Sequence, residues 1–194
     1  MKRIKLLLLI IAFVVFAANA AFASYSYDFN IDTTSVAGQT GYLELQFNPG
    51  LNPGVAGAVI SNFTSDATLA GAPQLTGDVT GALPGAVTIN NTTGWNDYYQ
   101  QVIFGSSVQF ALSLSGSAHN SFALSFYGAD GFTPLLTNDS TNGFATIIDV
   151  NANGAAVTNL SDQVAVASTP IPAAAWLLGS GLMGLAGIRR RMNV

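Results

Sequence analysis

The feature that most constrains this chain is a side-chain period of two that recurs along most of its length. Tyr25, Tyr27, Phe29 and Ile31 alternate with small or polar residues, and Leu43, Leu45 and Phe47 alternate with Tyr42, Glu44 and Gln46. Val108, Phe110, Leu112 and Leu114 repeat the pattern, as do Phe122, Leu124 and Phe126. Successive side chains of an extended strand point to opposite faces, so each of these segments reads as a half-buried strand. Shorter apolar runs at 58–63, 87–89, 101–104, 145–150 and 163–167 bring the expected count to about nine. Turn formers separate them, among them Asn48-Pro49-Gly50, Asn52-Pro53-Gly54, Asp130-Gly131, Asn142-Gly143 and Asn153-Gly154. No helical period of useful length and no internal repeat interrupts the pattern. The expectation for residues 24–167 is therefore one all-β domain, an antiparallel β-sandwich, with a jelly roll as one form of it.

Charge divides the chain into three regions. The six basic residues all lie at the ends: Lys2, Arg3 and Lys5 open the chain, and Arg189, Arg190 and Arg191 nearly close it. The ten acids lie between them, so the body carries only negative fixed charge apart from His119. Nucleic acid is excluded as a partner, because phosphate neutralisation needs cations that the body lacks. With no cation to pair with, the carboxylates are expected to repel one another, to titrate above their unfolded values, and to make the domain more stable near pH 4 to 5 than at pH 8. The chain has no cysteine, so packing alone must hold the domain together.

The two ends read as export and sorting signals. A basic start, an apolar run from Leu6 to Phe16 and the small-residue patterns Ala18-Asn19-Ala20 and Ala21-Phe22-Ala23 make residues 1–23 a secretory signal peptide, cleaved after Ala23 or after Ala20. The run is well short of the ~20 apolar residues of a membrane span. This end implies the Sec translocon and signal peptidase as transient partners. At the other end, residues 168–194 hold Pro170 and Pro172, then an uncharged stretch from Ala173 to Ile188, then the three arginines. The prolines keep the chain extended and accessible. Sixteen helical residues at ~1.5 Å each span roughly 24 Å, a short membrane helix whose arginines stay cytoplasmic and leave the body outside.

In this order the segment from Ser168 through Pro170-Ile171-Pro172-Ala173-Ala174-Ala175-Trp176-Leu177-Leu178-Gly179 to Arg191 resembles the PEP-CTERM sorting signals, in their V-P-L-P-A form. The departures are Thr169 for the usual Val and Ile171 where the commonest version has Glu. The resemblance implies an exosortase that cuts near the motif Pro170, Ile171, Pro172 and Ala173 and removes the tail. It also implies a Gram-negative host that makes an exopolysaccharide. The protein would then pass from an inner-membrane-anchored intermediate to the cell surface or the matrix of a biofilm. A plain C-terminal anchor that is never cut fits the composition of the segment as well. More loosely, Tyr27-Asp28-Phe29 with Asp32-Thr33, followed by residues 41–47, resembles a β-rich type of PEP-CTERM substrate.

Candidate site residues are few. Cysteine and lysine catalysis are excluded from the body by composition, a serine triad would have to use the single His119, and no serine elbow pattern occurs. The body is accordingly expected to be non-catalytic, its rival being a secreted hydrolase of matrix polysaccharide that uses paired carboxylates. Trp95, Tyr98 and Tyr99, set among Asn96, Asp97, Gln100 and Gln101, form an aromatic and amide cluster of the kind that stacks on sugar rings; Trp95 and one tyrosine capping the sandwich core would explain the same residues. Asp149, Asn151 and Asn153, with Gly154, fit the first half of a calcium loop, but Leu160 stands where a bidentate Glu is required, and a hairpin turn explains them without calcium.

Overall fold

The computed structural model describes residues 23–116 and 119–169. Residues 1–22 of the expected signal peptide, the sorting motif at Pro170 to Ala173, the apolar stretch and the arginine cluster at Arg189 to Arg191 lie outside the described residues. Among the described residues there is no α-helix; a single turn of 3-10 helix occupies Thr34–Val36.

The strands, in chain order, are β1 (Ala23–Asp32), β2 (Thr40–Pro49), β3 (Ala56–Ser65), β4 (Thr68–Leu69), β5 (Gln74–Thr76), β6 (Val79–Gly81) and β7 (Val87–Asn90). The second half of the chain adds β8 (Asp97–Ile103), β9 (Ser107–Gly116), β10 (Asn120–Gly128), β11 (Pro134–Leu135), β12 (Phe144–Asn151), β13 (Gly154–Asn159) and β14 (Val164–Thr169). They form two antiparallel sheets packed together, consistent with the expected sandwich. The first runs β14-β1-β9-β3-β7-β6, and the second runs β13-β12-β10-β2-β8-β4, with β11 added to β10 and β5 to β8. The pairings are nested: β3 pairs with β7, β2 with β8, and β1 with β9, so one long hairpin is folded over with successive layers falling in alternate sheets.

The period-two positions supply the core between the sheets. Phe29, Ile31, Ile60, Val87, Ile89, Leu112 and Leu114 of the first sheet are buried against Leu43, Leu45, Phe47, Tyr98, Phe122, Leu124 and Phe126 of the second. Phe29 and Phe110 face each other in register and stack at 4.6 Å between centroids, while Phe29 meets Phe122 of the opposite sheet edge-on at 5.9 Å. This aromatic trio joins the two layers through a large contact area.

Buried amides take the place that ion pairs hold in more ordinary domains. Asn96 is fully buried: its Nδ2 donates to the carbonyls of Phe47 and Thr93, at 3.1 and 2.9 Å, and its Oδ1 accepts from the Asp78 N–H at 2.9 Å. Asn91 donates to Gly54 O and to Asn120 Oδ1, both at 2.7 Å, and accepts from the Ala56 N–H at 3.0 Å. An amide brings donors and an acceptor on one short side chain, so each can satisfy backbone groups at loop ends without bringing a charge.

Four carboxylates shift downward, against the rise expected from repulsion. Asp66 accepts from the Ser106 N–H at 2.9 Å, the Ser106 hydroxyl at 2.7 Å and the Ser107 N–H at 3.0 Å, and these donors, led by the Ser106 N–H, hold it down to about 2. Asp130 is likewise held down to about 2, by the Thr133 hydroxyl first and then the Thr133 and Phe132 N–H groups. Asp32 is lowered by the Thr34 side chain and N–H, and Asp139 by the Asn142 N–H and side chain. Local N–H and O–H donors at turns thus stabilise the charged form despite the missing cations. Asp97 is shifted the other way, upward.

Candidate functional site

The outer face of the second sheet carries the most elaborate surface of the domain. Parity along three adjacent strands puts it there. On β2 the residues Leu43, Leu45 and Phe47 point into the core, so Tyr42 and Glu44 point out. Register then places Tyr42 opposite Tyr127 of β10 and Gln101 of β8, and Glu44 opposite Ser125 of β10 and Tyr99 of β8. Asp97, two residues before Tyr99 on the same strand, is a diagonal neighbour of Glu44 and sits opposite Gln46.

Two connections rise around this patch and make it a groove of about 700 Å³. One wall is the segment between β10 and β12, which contributes Asp130, Gly131, Phe132, Pro134 and residues 140–142; the other includes Gln74 of β5. Asp130 and Asp139 hold the first wall in shape by accepting from the N–H groups two and three residues on. Gly131, at φ +77, turns its carbonyl to accept from the Tyr99 hydroxyl at 2.9 Å, and a Cβ there would lie 3.1 Å from that hydroxyl.

Inside the groove, Tyr42 and Tyr99 stack at 4.6 Å and 15°, with Tyr127 at 6.3 Å from Tyr99. The Tyr127 hydroxyl donates to Glu44 Oε2 at 3.2 Å. Burial, then the charge of Glu44 and a hydrogen bond with it, push the Asp97 carboxyl up to about 7. Burial also raises the phenols of Tyr99 and Tyr127, so both remain neutral hydrogen-bonding groups at neutral pH. Asp97 Oδ1 and the hydroxyl of Ser125 are buried without a hydrogen-bond partner, and Ser125 is 1% exposed. At the mouth, the Phe132 ring is 84% exposed. The groove therefore offers flat aromatic faces, neutral phenols and the raised Asp97 carboxyl beside that of Glu44.

The aromatic cluster read from the sequence is split by the fold. Tyr98 is fully buried, donating to Gln100 Oε1 at 3.2 Å and accepting from the Leu83 N–H at 3.0 Å. It is a core residue and cannot stack on a sugar from solvent, which corrects its place among the candidate binding residues. Trp95 is 52% exposed on the loop before β8 and is not part of the groove lining, whereas Tyr99 lies at its centre. Of the other groove residues, Asp97 entered the sequence reading only as a neighbour within that cluster, and Tyr42, Glu44, Tyr127 and Phe132 escaped it as site residues. The available signal was strand parity: counting back from Val102 sends Gln100 and Tyr98 inward and Tyr99 and Asp97 outward.

Asp149 and Asn151 close β12, and Asn153 lies in the two-residue turn into β13, its N–H donating to Asn151 Oδ1 at 2.8 Å. This is the hairpin alternative to the calcium loop. Asp149 and Asn151 share a smaller depression of about 300 Å³ with His119 and Leu51; Asn153 is not part of it. His119 is an exposed residue with φ 68 just before β10. Among the described residues no three His, Cys, Asp or Glu side chains come together as a metal site. No protein-family model, no curated protein and no solved structure matches this chain.

Proposed function

We propose that this chain is an exported bacterial surface or matrix protein of PEP-CTERM type, sorted and cut by an exosortase, whose β domain binds extracellular polysaccharide without catalysis. The order of signals at the two ends supports the export and sorting. The groove on the second sheet carries the binding part. Stacked tyrosines beside carboxyl and amide groups suit a sugar, whose ring faces are apolar and whose hydroxyls need both donors and acceptors. A groove of about 700 Å³, open along the sheet, accommodates several sugar units of a chain.

The hydrolase reading is the weaker one because of the carboxyl geometry. Glycosidases flank the scissile bond with carboxyls roughly 5 to 9.5 Å apart. Glu44 and Asp97 instead lie as diagonal neighbours on adjacent strands of one sheet face, so both stand on the same side of a chain laid along the groove rather than flanking a bond. The nested strand pairing also supports a jelly-roll form of the sandwich.

Two measurements test the proposal. Intact mass of the extracellular protein from a host with its exosortase should give a chain that begins near Ser24 and lacks Arg189 to Arg191; arginines retained on most of the protein would favour the uncut anchor. Titration with soluble exopolysaccharide fragments should give saturable binding with no new reducing ends. Release of reducing ends would decide for the hydrolase.

A further inference from the structure

The groove is unusual in holding negative charge against aromatic faces with no cation of its own. Residues 23–169 contain no lysine or arginine, so the charge of the Glu44 and Asp97 pair has no basic partner there. Glu44 is nearly buried and uses Oε2 to accept from Tyr127, while Asp97 Oδ1 is buried and accepts from nothing. The unpartnered hydroxyl of Ser125 lies on the same sheet face, in register with Glu44. Neutral sugar hydroxyls would donate to these acceptors, yet would leave the net charge of the pair uncompensated in a partly desolvated site. An ammonium group donates up to three hydrogen bonds, compensates the charge and is attracted to the faces of Tyr42, Tyr99 and Tyr127.

We propose, building on the polysaccharide reading above, that the groove selects amino sugars with a free, protonated amine, the ammonium seated between the Glu44 and Asp97 carboxyls and the tyrosine faces. A saccharide rather than a lysine side chain is the favoured carrier. The groove, about 700 Å³ in volume, is also lined by Gln74, Asn142 and the exposed Phe132 ring, which suit further sugar units. Seating the ammonium favours ionised Asp97, so below pH 7 binding releases a proton. The groups facing Asp97 are Glu44 from β2, Tyr99 on its own strand and Tyr127 from β10; none can supply a competing positive charge.

The test is calorimetric titration of the full chain in a polyoxyethylene detergent, which brings no sugar of its own. The probes are a glucosamine hexamer, the N-acetylglucosamine hexamer, a glucose hexamer and a lysine tetrapeptide. The glucosamine hexamer should bind about tenfold or more tighter than either neutral hexamer. At pH 5.5, where the amine is already protonated, its heat should vary with the ionisation enthalpy of the buffer, reporting proton release. Asp97→Asn should remove that buffer dependence and bring the three hexamers within about twofold of one another, while Glu44→Gln should also weaken the glucosamine hexamer selectively. Retained melting behaviour in either variant shows that a loss is not unfolding. Equal or tighter binding of a neutral hexamer would overturn the amino-sugar assignment and leave the polysaccharide reading standing. Binding of the peptide as tight as that of the glucosamine hexamer would overturn the saccharide assignment, and no binding of any hexamer would overturn both.

Discussion

The two faces of the second sheet are made by the same three strands and have opposite chemistry. On the inner face, Leu43, Leu45, Tyr98, Phe122, Leu124 and Phe126 are buried against the first sheet. On the outer face, Tyr42, Glu44, Asp97, Tyr99 and Tyr127 line a groove open to solvent. Neighbouring residues such as Tyr98 and Tyr99 thus have unrelated tasks, and the parity of a strand decides which is which. The inner face gains from completeness, with aromatic rings filling the space between layers. The outer face keeps acceptors without partners and an aromatic ring exposed at its mouth, features that cost stability in isolation and gain value from a ligand.

The largest separation between the faces should appear on truncation of one ring from each. Phe122→Ala removes a fully buried ring that meets Phe29 of the other sheet, and should lower the unfolding free energy by ~3–5 kcal/mol in denaturant titrations. Tyr99→Phe loses only the hydroxyl contact with the Gly131 carbonyl and should cost no more than ~1 kcal/mol while weakening ligand binding. A costly Tyr99→Phe with unchanged binding would erase the distinction.

Next comes the amide network that stands in for ion pairs. Asn96→Ala strands the carbonyls of Phe47 and Thr93 and the N–H of Asp78 at the loop before β8, so a loss of ~2–3 kcal/mol is expected from the same titrations. A loss under ~1 kcal/mol would mean that water replaces those bonds readily and that the network is not a structural support.

Much of the inner face was legible in the sequence, because burial on one side of a strand writes a period of two into the residues. All nine expected strands are present, as β1, β2, β3, β7, β8, β9, β10, β12 and β14. The short strands β4, β5, β6 and β11 have two or three residues each, too few to display a period, and β13 is a largely exposed edge strand whose residues need no alternation. The groove was legible only in part. Tyr99 stood out as an aromatic, but the meeting of Glu44 with Asp97 depends on β2 pairing with β8 across half a hundred residues, and local pattern carries no record of that partner. Sequence reasoning about charge also treated all acids alike. Turn geometry, which supplies N–H donors to Asp66 and Asp130, separates them from Asp97.

That separation gives the third prediction, with the sign set by direction of shift. Asp97 is raised to about 7, so its proton contributes stability that is present below its unfolded pKa and lost as pH climbs toward 7. Asp32, Asp66, Asp130 and Asp139 are lowered, so their contribution is present above their unfolded pKa and lost as pH falls toward about 2. Stability should therefore peak near pH 4 to 5 and fall on both sides. Asp97→Asn should remove the neutral limb, making the variant more stable than the parent at pH 8 by ~1–2 kcal/mol once solvent screening is allowed for. A neutral limb that survives this substitution would return the effect to diffuse repulsion among all ten acids.

The smallest effect expected is on the acid limb. Asp66→Asn removes the titrating charge while keeping one acceptor oxygen for the Ser106 and Ser107 N–H groups, and should flatten the decline below pH 4 without altering the limb between pH 4 and 7, as followed by denaturant midpoints at each pH. A change in both limbs would show that the two sets of carboxyls are coupled, contrary to their separation in the fold.

The most direct test of the central claim, that the outer face of the second sheet is the binding surface, is the ring-proton NMR spectrum of the tyrosines during titration with soluble exopolysaccharide fragments. Assigned signals of Tyr42, Tyr99 and Tyr127 should move together and saturate at one ligand concentration, while those of Tyr98 and Trp95 stay in place. Saturable shifts centred on Trp95, with the groove tyrosines unmoved, would contradict it.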